Sequence, residues 1–316
     1  MVRLPPQRVH SPSVAVAVAV AALTVWNAGL PVARLMRLGL AVATQAPTIC
    51  ASASRRQGRI VSSQQHRSSD EPETTAPAGS EQQRRTAIVD RLSELYPEAT
   101  CDLVFTNPFE LLIATVLSAQ TTDIRVNSVT PALFAAYPTP VELAGAHQTD
   151  VETIIRPLGL YRNKAAAIIA LSAELLDKHQ GQVPADRVAL EALPGVGRKT
   201  ANVVLPNGFG IPGFAVDTHV SRVAQRLGLV TTTTPTAIER ELCTLVPETR
   251  WGQLSHELIW HGRTVCHAKR PACAACGLAT WCPQSTTLGE QDHHIALQHV
   301  TGPHAQDYLR HLQQLS

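Results

Sequence analysis

The sequence predicts an all-α protein, and three observations carry that expectation. From about Gln82 to Trp260 the apolar residues recur at helical spacing. Over the same stretch no sustained period-two alternation is bounded by turn signals. Helix starts and stops follow one another closely, so the loops are short and the helices pack as a compact bundle. Asn107-Pro108 is a strong start, an N-cap followed by proline at the first helical position, and Phe109, Leu112, Ile113, Val116 and Leu117 then supply a buried stripe. Thr149-Asp150 opens another helix, which Pro157 and Gly159 end. Tyr161 to Lys178 forms a longer one, closed by Gly181. Asp217 opens the helix that runs through Val223, Ala224 and Leu227.

Composition is that of an ordinary globular chain: 316 residues, 44% hydrophobic and 16% charged. Charge is unevenly spread. Eight of the 27 basic residues precede Asp70, where there is no acidic residue, whereas Glu81 to Ser285 holds 18 Lys and Arg against 19 Asp and Glu. A nucleic-acid surface would therefore need basic residues gathered on one face. Residues 1–80 differ from the rest, with a Val-Ala repeat from Val14 to Ala21 and a polar stretch from Ser62 to Ser80. The apolar run to Trp26 behind Arg3 and Arg8 imitates a signal peptide, and the acid-free, Arg-containing stretch to Arg67 imitates a transit peptide. The reading preferred is a disordered extension or a wrongly assigned start, because a dipeptide repeat is low-complexity sequence. The run is broken at Asn27 and Pro31 and is too short for a membrane span.

Leu190 to Ala201 reads as a helix that ends at Pro194-Gly195-Val196-Gly197 and restarts at once with Arg198-Lys199-Thr200-Ala201. This is a helix–hairpin–helix signature. Its glycines allow a tight turn and close approach to another chain, and the open amides of the new helix make a phosphate seat. Such a grip holds a sugar-phosphate backbone without reading bases. Lys199 sits in the first turn of that helix, where the dipole opposes a cation. That field favours the neutral amine, and partial burial would lower its pKa further, as a lysine nucleophile needs. Eighteen residues on, Asp217 is a helix N-cap. A carboxylate near the lysine would also stabilise an oxocarbenium-like sugar and accept a proton.

Of the seven cysteines, Cys50, Cys101 and Cys243 are scattered and read as buried small hydrophobes, while Cys266, Cys273, Cys276 and Cys282 fall within seventeen residues. A secreted disulfide framework would spread its pairs, so the crowding indicates a metal site. Four thiolates hold zinc or a four-iron cluster, and the spacing C-x6-C-x2-C-x5-C, with one short knuckle rather than two, leans toward iron–sulfur. The loop between the first two ligands carries His267, Lys269 and Arg270, cations that a pinned loop presents to phosphate.

Taken together, the Leu193-to-Ala201 hairpin, the Asp217-Thr218-His219 segment and the cysteine spacing resemble endonuclease III over roughly Glu81 to Pro283. The resemblance implies a six-helix barrel domain with the hairpin and a helical iron–sulfur cluster domain, with a DNA-binding groove between them. Its boundaries would be an N-terminal helix at 81–100 belonging to the cluster domain, a barrel at 101–211 with the hairpin near 187–206, a cluster domain at 212–285 and a flexible His-containing tail at 286–316. It further implies one [4Fe-4S] cluster on the four cysteines and a DNA base-excision repair enzyme that removes oxidised pyrimidines. In that reading Lys199 attacks C1′, forms a Schiff base and cuts the strand by β-elimination, with Asp217 as partner carboxylate. Gln120, in Leu117-Ser118-Ala119-Gln120-Thr121-Thr122-Asp123, resembles the glutamine that fills the gap left by a flipped base. His219 would join Gly195, Val196, Gly197, Arg198, Lys269 and Arg270 in contacting DNA.

The adenine-removing glycosylase of the same superfamily shares the cysteine spacing. It carries a catalytic glutamate where this chain has Thr115, lacks the lysine, and has a C-terminal domain for which the 34 residues after Cys282 leave no room. A non-catalytic hairpin module that only binds DNA would share the turn, and a zinc-stabilised adaptor would share the cysteines. The tail holds His293, His294, His299, His304 and His311 without helical spacing for a metal site. The expected partner is double-stranded DNA with damaged bases or abasic sites, met by a monomer in the cytoplasm at the nucleoid, with no membrane.

Overall fold

The computed structural model describes residues 78–315. The expectations for residues 1–77, the Val-Ala run and Cys50 included, lie outside the described residues. Every regular element among the described residues is helical. In chain order they are α1 (Ala78–Leu95), α2 (Pro108–Leu117), α3 (Asp123–Ala136), α4 (Pro140–Ala144), α5 (Gln148–Ile155), α6 (Tyr161–His179), α7 (Arg187–Glu191), α8 (Arg198–Phe209), α9 (Thr218–Arg226), α10 (Pro235–Leu242), α11 (Trp251–Thr264), α12 (His293–Gln298) and α13 (Ala305–Gln314).

Local chemistry sets the boundaries that matter for the site. Asn107 caps α2, its side chain accepting from Glu110 N at 3.0 Å, and Pro108 follows. Glu110 reaches back to accept from Thr106 N at 2.6 Å, so the two side chains satisfy amides reciprocally. Helix α2 is buried on more than one stripe: Leu111, Ala114 and Thr115 are covered as well as the five residues expected. It is a central helix. Helix α5 starts at Gln148 behind His147, slightly ahead of the expected Thr149-Asp150, which fall in its first turn. The long α6 ends through Gln180 in left-handed backbone, followed by Gly181.

Two hydrophobic cores form. One is built from α2 to α8, with Leu112, Val126, Leu133, Ile168, Leu171 and Val204 among its fully buried residues. The other takes α1 from the N-terminal side and joins it to residues after Phe214, through Ile88, Leu92, Val223, Leu254, Leu258 and Tyr308. Arg84 fastens α1 there, donating to Leu227 O at 2.7 Å, Trp281 O at 2.8 Å and Gly228 O at 3.0 Å. Helices α2 and α8 pack together in the first core, and α9 packs on α11 in the second.

The flexible tail expected after residue 285 is corrected by this second core. Asp292 caps α12, and α13 lays Tyr308 into the core with no exposure. The Tyr308 ring stacks on Tyr96 of α1 at 5.6 Å between centroids, while its hydroxyl accepts from Gly277 N and donates to Ala275 O. Gly277 sits so close to Leu95 and Leu312 that a Cβ would meet both at 3.0 Å. The C-terminal residues are packed because one aromatic and its amphipathic helix fill a space that the preceding fold leaves open. No helix among the described residues is long and apolar enough to cross a membrane.

Candidate active site

Lys199 and Asp217, eighteen residues apart in sequence, line the same cleft of about 70 Å³. Gly197 is the N-cap of α8 and offers no side-chain cap, so the first amides of that helix stay open and Lys199 emerges from its first turn. The partial burial expected of Lys199 is not found: the side chain is exposed at the cleft mouth. Asp217 caps α9 with one oxygen only. Its Oδ1 accepts from His219 N and Val220 N, each at 2.8 Å, and Oδ2 has no protein partner among the described residues. Cap and reactive carboxylate are thus separate oxygens of one side chain.

Thr115 lies on the same cleft, 8% exposed, with its hydroxyl donating to Leu111 O at 2.7 Å. It carries no acid. Four cleft residues were given no role by the sequence reading. Arg263 of α11 bonds Asp102 and reaches Asp123 at 2.7 Å. Burial works against its charge, but Asp123 and Asp102 outweigh that and hold the guanidinium protonated. The two carboxylates are engaged by this ion pair, so Asp217 keeps the free oxygen. His256 also lines the cleft, its Nε2 at 3.1 Å from Asn207 Oδ1. Asn207 Nδ2 donates to Val203 O, which turns Oδ1 toward the ring and leaves Nε2 as the donor. Burial pushes His256 down to about 4. No local motif marks these residues; Asp123 alone had a signal, being the last residue of the Gln120 segment and the first of α3.

Beside the cleft runs a wider groove of about 530 Å³, lined by Thr121, Thr122, His219, Arg222, His267 and Ala268 among others. Burial pushes His219 down, and its Nδ1 faces Arg222 Nη2 at 3.1 Å. Gln120 stands exposed on the turn between α2 and α3 with φ of 55°, and Leu160 is likewise exposed with φ of 47°. Non-glycine residues in left-handed backbone carry strain that the surrounding fold must hold, a pattern common at working surfaces. Lys269 and Arg270 are exposed and have no ion-pair partner among the described residues.

In the hairpin, Gly195 has φ of 74° and Val196 is buried beneath it, as a tight turn requires. Gly195 and Gly197 do not line the cleft; they face outward beside it. Arg198 is less free than expected. Its Nε and Nη2 bond both oxygens of Glu239, each at 2.8 Å, although the side chain stays 47% exposed.

The four clustered cysteines line one cavity together with Leu227, His261 and Val265. Their thiols form no disulfide. Arg226 Nη1 donates to Cys266 Sγ at 3.5 Å and Leu278 N to Cys276 Sγ at 3.4 Å, while His261 Nε2 lies 3.7 Å from Cys276 Sγ. Among the described residues no three His, Cys, Asp or Glu side chains converge closely enough to hold a single metal ion. Cys101 and Cys243 are half-buried, and burial pushes each thiol up to about 11.

An all-helical fold with a hairpin, an adjoining lysine and a capping aspartate on a common cleft defines a helix–hairpin–helix base excision DNA repair protein, and the model of the HhH-GPD superfamily of such proteins matches residues 113–248. The chain is 48% identical to endonuclease III of Synechocystis sp. over 207 residues, 65% of this chain and 94% of that protein. It is 45% identical to endonuclease III of Escherichia coli (strain K12) over 199 residues, 63% of this chain and 94% of that one. The fold matches a non-covalent endonuclease III–DNA complex with a TM-score of 0.63 and 46% identity, covering 65% of this chain and 96% of that one. A trapped covalent endonuclease III–DNA intermediate matches equally, with 97% of its chain covered. The chain belongs to the endonuclease III family.

Proposed function

We propose that this base-excision repair glycosylase and lyase acts on oxidised pyrimidines in double-stranded DNA, with Lys199 as nucleophile and Asp217 as its partner carboxylate. The carrying observation is that the two side chains share one cleft, the lysine unpaired and one aspartate oxygen free. The Lys199 amine attacks C1′ as the base departs, and Asp217 Oδ2 stabilises the developing positive charge on the sugar and takes the proton the amine loses. The aminal so formed opens at its C1′–O4′ bond, O4′ taking the proton back from Asp217, to give an imine; the imine acidifies the C2′ proton, whose removal breaks the C3′–O bond, expels the 3′ phosphate and cuts the strand. The trapped covalent intermediate of a related endonuclease III supports this route. Gln120, His219, the Gly195–Gly197 turn, Lys269 and Arg270 contact the duplex, the hairpin amides taking phosphate. Arg198 acts at most through its exposed face, since Glu239 occupies its fork.

Cys266, Cys273, Cys276 and Cys282 would hold a [4Fe-4S] cluster. The donor set fits: four thiols, uncrosslinked, around one cavity. The cluster, when bound, ties the loop bearing Lys269 and Arg270 to the second core. Thr115, in place of an acid on the cleft wall, disfavours an adenine-mismatch glycosylase that hydrolyses with water. Excision assays on duplexes each bearing one lesion test the substrate class. Release of ring-saturated or oxidised pyrimidines ahead of adenine from a mismatch is expected; the reverse order refutes the reading.

A further inference from the structure

The C-terminal segment crosses from the cysteine loop to the catalytic cleft. At one end His267 Nε2 donates to His299 O at 2.9 Å, and Thr301 Oγ1 stands 3.2 Å from the same nitrogen. In the middle Thr301 N donates to Thr264 O at 3.1 Å. Gly302, with φ of 100°, passes so near the end of α11 that a Cβ would lie 3.1 Å from Arg263 O. Only glycine combines that backbone with that approach. At the far end His304 lies flat on Trp260, centroids 3.4 Å apart and planes 8° apart, with Nε2 3.1 Å from Asp102 Oδ1. Nε2 is buried there without an aligned hydrogen bond, so the contact is one of proximity.

Asp102 is not an isolated carboxylate. Arg263 bridges it to Asp123, three residues beyond Gln120, so two negative groups surround one guanidinium. The polar edge of His304 is set against this excess of negative charge. The same segment therefore touches two elements assigned to DNA contact: the basic loop through His267, and the Gln120 turn through Asp102, Arg263 and Asp123. Pro303 itself lines the groove with Thr121, Thr122 and His219. The segment itself, residues 299–304, lies beyond residues 113–248, the part matched to the superfamily.

We propose that His304 is a positioning residue: acting through Asp102 and Arg263, with His299 and Thr301 holding His267, it fixes the Gln120 turn and the basic loop in the register that grips damaged duplex. The inference rests on the repair reading above for its substrate. Its effect falls on binding, because His304 itself does not line the cleft of Lys199 and Asp217.

The test compares full-length parent, His304→Phe, Asp102→Asn and the double variant. Phenylalanine keeps the stack on Trp260 and removes the edge facing Asp102. Binding is read by fluorescence anisotropy with a duplex carrying a tetrahydrofuran abasic analogue, which lacks the reactive C1′ oxygen. Each single variant is expected to weaken binding about fivefold to tenfold, and the double variant no further, the signature of residues in one network. The single-turnover nicking rate of His304→Phe at saturating enzyme is expected to stay within about twofold of the parent, with an unchanged thermal midpoint, because the chemical groups and the stack are intact. Unchanged binding by His304→Phe, additive losses in the double variant, or weakened binding matched by a lowered midpoint overturns the proposal. Failure of the lyase reading would appear separately, as a parent that does not nick, and leaves the binding comparison valid.

Discussion

Changing Tyr308 to phenylalanine removes one oxygen and strands two backbone groups. The hydroxyl accepts from Gly277 N at 2.9 Å and donates to Ala275 O at 2.8 Å, while the ring stacks on Tyr96. Phenylalanine keeps the volume and the stack. An unpaired buried polar group costs about 1–3 kcal/mol, so two of them amount to about 2–6 kcal/mol. Tyr308→Ala also empties the ring's site, which adds about 3–5 kcal/mol, as for an aromatic truncation in a core. The assay is urea unfolding of the purified protein followed by circular dichroism, with a lower midpoint and an unchanged slope as the expected result. A Tyr308→Phe variant within about 0.5 kcal/mol of the parent, the range of an ordinary surface change, would refute the placement of α13 in the core.

Three further outcomes follow from named groups. Asp217→Asn keeps a good N-cap and loses the carboxylate, so stability should change by less than about 1 kcal/mol while nicking falls about 10²- to 10⁴-fold, as for loss of an acid–base group; parallel losses in both would make Asp217 a cap only. His256 is pushed down to about 4 by burial, from an unfolded value near 6.5. The unfolded chain alone binds this proton between those values, so the contribution is complete above about pH 6.5 and is lost toward pH 4, by about 3 kcal/mol. His256→Gln should flatten that part of the stability–pH curve, and an unchanged slope would contradict the neutral assignment. Lys269→Ala and Arg270→Ala should each reduce the slope of log affinity against log salt by about 1, as titrations of duplex binding will show; an unaltered slope removes that loop from the interface.

Features written in short windows of sequence were legible. Asn107-Pro108 and Asp217 cap their helices because a side-chain oxygen and a missing amide act within three residues. The Pro194-to-Gly197 turn needs its left-handed glycine locally, and the closely spaced cysteines line one cavity. Lys199 and Asp217 met in one cleft because the hairpin and α9 both open beside it.

What escaped depends on partners distant in sequence. Arg198 looked free until Glu239, 41 residues on, took its fork. Arg263 meets Asp102 and Asp123 from more than a hundred residues away, and no spacing rule joins them. The tail misled for a related reason. Its His- and Gln-rich surface hides an amphipathic helix whose buried residues are few, and Tyr308 finds its place against Tyr96 of α1, at the other end of the described chain. The exposure of Lys199 was equally hidden, because a first-turn position fixes direction but not depth.

The central claim is that Lys199 cuts DNA through a covalent imine. Incubating the protein with an abasic-site duplex and borohydride reads it directly. The parent should yield a covalent protein–DNA adduct, and Lys199→Gln should yield none and fail to nick while still binding the duplex. An adduct of undiminished yield from Lys199→Gln, or a parent that nicks without one, would contradict it.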